Sequence, residues 1–188
     1  MKYSKHNYII RDKRQMSALA APTRQEIVDV MPRLGTVSVA ELASALGRPA
    51  DSLYYHLRVL TRVGLVLSDG TRIVSGRPEA LFRAVAPEMS LAYQFGKPGN
   101  ANEVNAIIAS MLRLGTRDFK QSFRKGEASV SGPQRELWAL RKTAWFTRDR
   151  IAEANRCIHR LIGLTSTSRR KGRLYAITVL LTPLERQS

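Results

Sequence analysis

Polar, aromatic and basic side chains crowd the short segment between residues 52 and 62. They are Ser52, Tyr54, Tyr55, His56, Arg58 and Arg62. Guanidinium groups donate hydrogen bonds to phosphates and to guanine, while hydroxyl groups and aromatic rings reach other base edges and sugars. On one side of a helix, these side chains would form a surface that binds nucleic acid. Taken alone, the same pattern is more often the solvated side of an amphipathic helix.

The same segment carries leucines at spacings of four and three residues, which places them on one side of a helix. These are Leu53, Leu57 and Leu60. Gly64 is placed to end this helix, and Asp51 or Ser52 to cap its start. The pattern predicts a helix that turns its leucines inward and its basic and aromatic side outward.

Two further helical segments are predicted upstream. An apolar pattern runs over about residues 13–34, and Pro22 inside it predicts that the helix kinks or restarts there. Ser38 and Glu41 have the spacing of a capping box, in which each side chain bonds to the backbone amide of the other residue. They predict the start of a short helix that ends at Gly47.

A β-hairpin is predicted after the leucine-bearing helix. An extended apolar run begins at Leu65, the Asp-Gly pair at 69–70 is a turn signal, and a second extended run covers residues 80–85. Arg72 and Arg77 lie between the two runs. The predicted hairpin therefore has a basic tip.

Two stretches of this region resemble the winged helix-turn-helix of bacterial ArsR-like regulators. Ala18-Leu-Ala-Ala-Pro-Thr-Arg-Gln-Glu-Ile is similar to the opening helix of that family. Tyr54-Tyr-His-Leu-Arg-Val-Leu-Thr-Arg-Val-Gly-Leu-Val is similar to its recognition helix running into the wing. The resemblance covers about residues 15–86. Tyr54 stands where the family commonly carries serine, so the bases that the family reads do not transfer to this chain.

The resemblance implies a sequence-specific DNA-binding regulator of transcription, acting as a repressor that occupies a promoter. The helix near residues 51–63 would lie in the major groove and the wing near 69–78 along the minor groove. The side chains expected to face bases are Ser52, Tyr54, Tyr55 and Arg58. The other expected DNA contacts are Arg24 and His56 to phosphates, Arg72 and Arg77 from the wing, and Arg62.

Charge is the strongest signal of the composition. The chain has 188 residues and carries 31 Lys and Arg against 15 Asp and Glu, a formal net charge of +16, with a pI near 10.9. Such a surface attracts polyanions, and its dispersed basic residues favour nucleic acid over an anionic membrane. Charge does not separate DNA from RNA. The alternative is therefore an RNA-binding or ribosome-associated protein, although the aromatic RNP run and the Gly-x-x-Gly loop of such proteins are missing.

Motifs of enzymes and metal sites are missing from the sequence. It has neither a phosphate-cradling glycine loop with a lysine nor a Gly-x-Ser-x-Gly elbow, and an enzyme built around Trp138 and Trp145 would need a catalytic pair as well. Cys157 is the single cysteine, and its spacing of two from His159 aims the two side chains poorly at one ion. We expect no enzymatic activity, no cofactor and no metal. Whether a small-molecule effector binds stays open.

The second half is predicted to contain both helices and strands. Residues 87–102 indicate a connecting segment, and the apolar pattern over about Asn102–Phe123 predicts a helix. Arg135–Phe146 predicts a strand, and Thr147 the start of a further helix. The last run, Leu174–Leu181, predicts a strand that is apolar on both faces and must be covered on both, by the chain's own helices or by a second subunit.

We therefore expect an α+β fold with two parts. The first is an N-terminal winged helix-turn-helix domain over residues 1–88, whose first dozen residues would be a mobile arm or the start of a dimerising helix. The second, over 89–188, is a C-terminal helical domain with a few strands, used for dimerisation or regulation.

A homodimer on double-stranded DNA is the expected assembly, because one winged helix reads only one half-site of an operator. The predicted interface is the Asn102–Phe123 helix, the N-terminal helix or both, since both carry apolar stripes. No segment approaches the ~20 apolar residues of a membrane span, and the first residues lack the apolar core of a signal peptide. The expected location is the cytoplasm, with no membrane partner.

Overall fold

The computed structural model describes residues 7–92, 100–166 and 172–184. In chain order its elements are β1 (Asn7–Ile10), α1 (Lys13–Leu19), α2 (Pro22–Leu34), β2 (Val37–Ser38), α3 (Val39–Leu46), α4 (Asp51–Arg62), β3 (Val66–Val74), β4 (Arg77–Ala84), β5 (Glu88–Leu91), α5 (Ala101–Lys125) and α6 (Arg148–Ser166). The chain divides into two compact units, the N-terminal unit over Met1–Leu114 and the C-terminal unit over Gly115–Ser188. Helices and strands occur together, which confirms the α+β class.

The first three helices follow the start and stop signals of the sequence. Pro22 is the first residue of α2, where a missing N–H leaves no intrahelical bond unmade, and it separates α2 from α1. The Ser38 hydroxyl accepts from the Glu41 amide at 3.2 Å, and the Glu41 carboxylate accepts from the Ser38 amide at 2.9 Å. This capping box starts α3, and Gly47 ends it in the left-handed region with a φ of 61°. All three predictions are confirmed.

α4 starts slightly earlier than its predicted cap. Ala50 is the N-cap residue and Asp51 is already helical, so the expected cap at Asp51 or Ser52 is wrong. The Ser52 hydroxyl instead donates to the Pro49 carbonyl at 2.7 Å. Gly64 follows the helix with a φ of 75°, which confirms it as the stop.

β3 and β4 form an antiparallel hairpin whose turn lies further along the chain than predicted. Val74 pairs with Arg77, and Ser75 and Gly76 form the turn between them, with φ values of 50° and 76°. Positive φ at both positions is what a type I′ turn requires. The Asp-Gly pair at 69–70 is a bulge inside β3 rather than the turn, because the register with β4 shifts there.

The core of the N-terminal unit draws on all four of its first helices. Its largest fully buried side chains there are Met16, Ile27, Met31, Leu42, Leu53, Leu57 and Leu60. A polar residue, Gln15, is buried in this core. Its side-chain amide donates to the Tyr8 hydroxyl and to the Val63 carbonyl, each at 2.9 Å, and so ties the end of α4 to α1 and β1.

A second, two-stranded sheet joins the two ends of this region. β1 and β5 pair in parallel, with Ile10 opposite Leu91, where the sequence predicted an arm or a helix start and a connecting segment. Residues 93–99 of that connecting segment lie outside the described residues. The predicted helix that follows is confirmed as α5, and its Ile107 is buried in the core of the N-terminal unit.

The C-terminal unit contains helical structure but no strand in its described residues. The start of α6 is confirmed, since the Arg150 amide donates to the Thr147 hydroxyl at 3.4 Å. The strands predicted over Arg135–Phe146 and Leu174–Leu181 are wrong for the single chain, which forms neither helix nor strand there. The described helices of the chain do not cover Leu174–Leu181, because all of these residues are exposed. Cover by a second subunit stays a prediction. None of the described helices is long and apolar enough to cross a bilayer.

Candidate nucleic-acid interface

α4 is seated on the core by the three leucines that the sequence singled out. These leucines, at 53, 57 and 60, are at most 2% exposed. At 3.6 residues per turn, the opposite side of the helix carries Tyr55, Arg58 and Arg62, with Ser52 and Tyr54 at its margins. All five of these side chains belong to exposed residues. We call them the outward face of α4.

The outward face of α4 combines aromatic rings with positive charge. Tyr54 is 54% exposed and Tyr55 63% exposed. Arg58 follows them by four and three residues, which places it on the same side of the helix as both rings. The face therefore offers hydroxyl and guanidinium donors together with two flat apolar surfaces.

His56 lies at the edge of this face and is half-buried. Its ring contacts that of Tyr55 edge-on, with ring centroids 5.4 Å apart. Its Nδ1 is buried and has no hydrogen-bond partner among the described residues. Burial of the ring, followed by the positive charges of Arg24 and Arg48, lowers the pKa of His56 below its ordinary value of 6.5. Both effects favour the neutral form of the imidazole.

The two arginines beside His56 are each held by another part of the protein. Nε of Arg24, in the first turn of α2, donates to the Ala18 carbonyl across the break between α1 and α2. Nε of Arg48, in the turn before α4, donates to the Glu26 carboxylate at 2.9 Å. We call Arg24, Arg48 and His56 the cationic corner, because an anion bound there would meet two guanidinium groups whose stems are already fixed.

The two arginines predicted for the wing have different surroundings. Arg72 of β3 forms ion pairs with Glu79 at 2.7 Å and with Glu41 of α3 at 3.0 Å. Arg77 is exposed at the start of β4, directly after the hairpin turn. The positive charge of Arg72 is therefore already balanced within the protein, whereas Arg77 presents its charge at the tip.

Sequence reasoning missed two features of this surface. Arg48 was not named, although its place between the end of α3 and the start of α4 is visible in the sequence. Ile73 and Val74 are 69% and 45% exposed beside the hairpin turn, so the tip is apolar as well as basic. No local pattern marks these two residues as exposed.

The structure thus brings some predicted residues together and keeps others apart. The charge of Arg24 acts on His56 at the cationic corner, and five residues share the outward face of α4. Arg72 and Arg77 belong to the hairpin that follows α4 directly in the chain.

Comparison with known proteins identifies the same region. A family model described as a helix-turn-helix domain matches residues 19–69, from the end of α1 through α4 into β3. No curated protein shows significant sequence similarity to the chain. The match confirms the resemblance to helix-turn-helix regulators in general. A helix-turn-helix domain indicates a DNA-binding regulator, and regulators of this class are typically not enzymes. The match does not single out the ArsR-like branch.

Proposed function

We propose that this protein is a sequence-specific transcriptional regulator of the ArsR-like type, acting as a homodimeric repressor that occupies a promoter. The observation that carries the proposal is the two-sided character of α4 within the matched helix-turn-helix region. One side is fixed on the core by buried leucines, and the other leaves aromatic and basic side chains in water. A helix of this kind is suited to the major groove.

The outward face of α4 would read bases. Arg58 can donate two hydrogen bonds to O6 and N7 of guanine, and the rings of Tyr54 and Tyr55 can contact thymine methyl groups. Ser52, at the start of the helix, is also proposed to face bases. Arg62, in the last turn, would reach the phosphate backbone.

The cationic corner would hold a phosphate. Arg24 and His56 are proposed as contacts, and the position of Arg48 adds a third, although its charge is shared with Glu26. Arg24 also lies in the first turn of α2, where the free amides of a helix favour an anion. Because the guanidinium groups are anchored on Ala18 and Glu26, the corner needs little rearrangement to accept a phosphate.

The β3–β4 hairpin would act as the wing. Arg77, beside the turn, is proposed to enter or follow the minor groove, whose negative potential attracts cations. Arg72 is proposed to contribute as well, although its charge is shared with Glu41 and Glu79.

A homodimer is proposed because two half-sites read by a two-fold pair give far more specificity than one. We propose residues 1–88 as the DNA-binding domain and 89–188 as the dimerisation or regulatory domain. Of the two helices predicted to form the interface, α1 buries Met16 and Leu19 in the core of its own unit. α5 buries Ile107 there and leaves Leu112 47% exposed. The apolar stripe of α1 is thus already used within one chain.

Footprinting on genomic DNA, with excess RNA as competitor, tests the proposal. The expected result is a protected site with two half-sites about one helical turn apart that RNA does not displace. Arg58→Ala should lose this site, whereas the control Arg150→Ala, which removes the same charge from the exposed Arg150–Glu153 pair on α6, should keep it. Equal displacement by RNA, or protection without any preferred site, would contradict the proposal.

A further inference from the structure

The C-terminal unit exposes its large apolar side chains instead of packing them. No residue in 115–165 or 172–184 is buried. Trp138 is 63% exposed, Leu140 70%, Leu174 59% and Ile177 51%. Water-exposed apolar surface on this scale marks a surface that another molecule covers.

The backbone of the last segment is unpaired as well. Residues 174–184 make no backbone–backbone hydrogen bond with any described residue. The run Tyr175-Ala-Ile-Thr-Val179 is rich in the β-branched and aromatic residues that strands prefer. A segment with this composition and free amide and carbonyl groups is a template for pairing with another strand.

Side-chain contacts join residues 135–146 to residues 172–184 at the starts of the two segments. The Tyr175 hydroxyl donates to Oε1 of Glu136, and Nη1 of Arg173 lies 3.4 Å from the same oxygen. Further along, the Thr178 hydroxyl lies 3.6 Å from the position that a Cβ would take at Gly115 of α5. Both segments therefore have a defined place within the unit, although no described residue pairs with the backbone of residues 174–184.

We infer that residues 135–146 and 172–184 form the interface through which two copies of this chain associate, with strands pairing between protomers. This inference rests on the homodimer of the proposed function and replaces the helical interface expected from the sequence. In such a two-fold contact the same segments of both copies meet, so residues 174–184 of one copy find in the other copy the backbone partner that no described residue of their own chain supplies.

The apolar area available in these segments is sufficient for a stable dimer. They contain eleven exposed large apolar side chains. At about 100 Å² each, these amount to on the order of 1,000 Å² per protomer, against ~800 Å² per partner in a standard protein interface. A small ligand would leave most of this area in water, whereas a second copy can cover it.

The charge of the C-terminal unit sets how this association responds to salt. Residues 115–188 carry sixteen Lys and Arg against six Asp and Glu, so two copies repel each other. Salt screens that repulsion, and the dimer should become tighter as ionic strength rises. DNA binding should respond in the opposite direction, because it releases counterions.

Sedimentation velocity on the full chain at micromolar concentrations, in low and high salt, is the direct test. We expect a dimer that is tighter in high salt. Val179→Asp should raise the dimer dissociation constant about 100-fold or more, because an unpaired carboxylate is costly to bury. The matched control is Leu112→Asp on α5, which should leave dimerisation unchanged. Val179 and Leu112 are 42% and 47% exposed in the single chain, so neither change disturbs the core.

Hydrogen exchange measured across the same concentrations gives a second readout. The amides of 174–184 should exchange more slowly as the dimer forms. A chain that stays monomeric, a dimer broken by Leu112→Asp but not by Val179→Asp, or amides unaffected by dimerisation would each overturn the inference.

The failure of this inference is separable from failure of the proposed function. A monomeric Val179→Asp protein that still binds a single half-site supports both. A wild-type dimer with no preferred DNA site would contradict the proposed function but not the inferred dimer interface.

Discussion

The carboxylate of Glu26 on α2 holds the guanidinium of Arg48 at 2.9 Å, in the turn that leads into α4. The two side chains are only 11% and 29% exposed. Because α4 begins at Asp51, this pair helps to fix the direction in which the helix leaves the turn. The orientation of α4 is therefore set partly by an ion pair and partly by its leucines.

Removing the acidic partner should destabilise the protein. Glu26→Gln leaves the Arg48 charge half-buried without its counter-charge, and we expect the free energy of unfolding to fall by about 1–3 kcal/mol. A double-mutant cycle with Arg48→Gln, followed by urea unfolding, should give a coupling energy of at least ~0.5 kcal/mol. The same cycle on the exposed Arg150–Glu153 pair should give less. Additive effects at Glu26 and Arg48 would show that the pair does not act as a unit.

The two wing arginines should differ in their effect on DNA affinity. Arg77→Ala should weaken binding to all sequences and reduce the slope of affinity against salt by about one counterion. Arg72→Ala should weaken binding less, because Glu41 and Glu79 already balance its charge. Fluorescence anisotropy over a salt series measures both. Equal losses for the two variants would show that the ion pairs of Arg72 open on DNA.

His56 should couple DNA binding to proton uptake. Its pKa is lowered in the free protein by burial and by Arg24 and Arg48. A phosphate at the cationic corner would offset those charges and raise the pKa of His56, so affinity should increase as the pH falls toward the ordinary value of 6.5. His56→Gln should remove this pH dependence, and His159→Gln on α6 should not. Calorimetric titrations in buffers of different ionisation enthalpy count the protons, and no difference between wild type and His56→Gln would contradict the phosphate contact.

The stability of the free protein should follow pH with the opposite sign. Since the pKa of His56 is lowered on folding, the unfolded chain takes up a proton first. The contribution of His56 to stability is therefore complete above the unfolded pKa and is lost as the pH falls from that value through the lower folded pKa. Urea unfolding of wild type and His56→Gln at several pH values should show this loss in the wild type only.

DNA affinity should not depend on a metal ion. The sequence pairs Cys157 with His159 at a spacing that suits one ion poorly, so chelators should leave the dissociation constant unchanged. Elemental analysis of untagged protein is the complementary measurement. A stoichiometric transition metal would show that the expectation is wrong.

Local signals explain why the helix-turn-helix could be predicted from the sequence. Pro22, the Ser38–Glu41 capping box and Gly47 each act within one helical turn, so their outcome does not depend on distant residues. The leucine spacing of α4 likewise determines which side is buried. The outward face could therefore be predicted as soon as the helix was.

Long-range pairing explains what the sequence did not reveal. Both the Asp-Gly pair at 69–70 and the Ser-Gly pair at 75–76 allow positive φ. The register of β3 with β4 determines that the hairpin turn forms at 75–76. The parallel pairing of β1 with β5 joins residues about eighty positions apart. The ion-pair partners of Arg48 and Arg72 come from other elements and leave no local pattern. Leu174–Leu181 has the composition of a strand, but a strand forms only where a partner is present.

The central claim is that the outward face of α4 determines which DNA sequence the protein binds. Selection of binding sites from a random duplex library, with wild type and a Tyr55→Ala/Arg58→Ala double variant, tests it most directly. We expect the wild type to enrich one site. The double variant should lose about 1–3 kcal/mol per lost base contact and retain only non-specific, salt-sensitive binding. Arg150→Ala serves as the control for lost charge. Enrichment of the same site by the double variant, with undiminished affinity, would contradict the account.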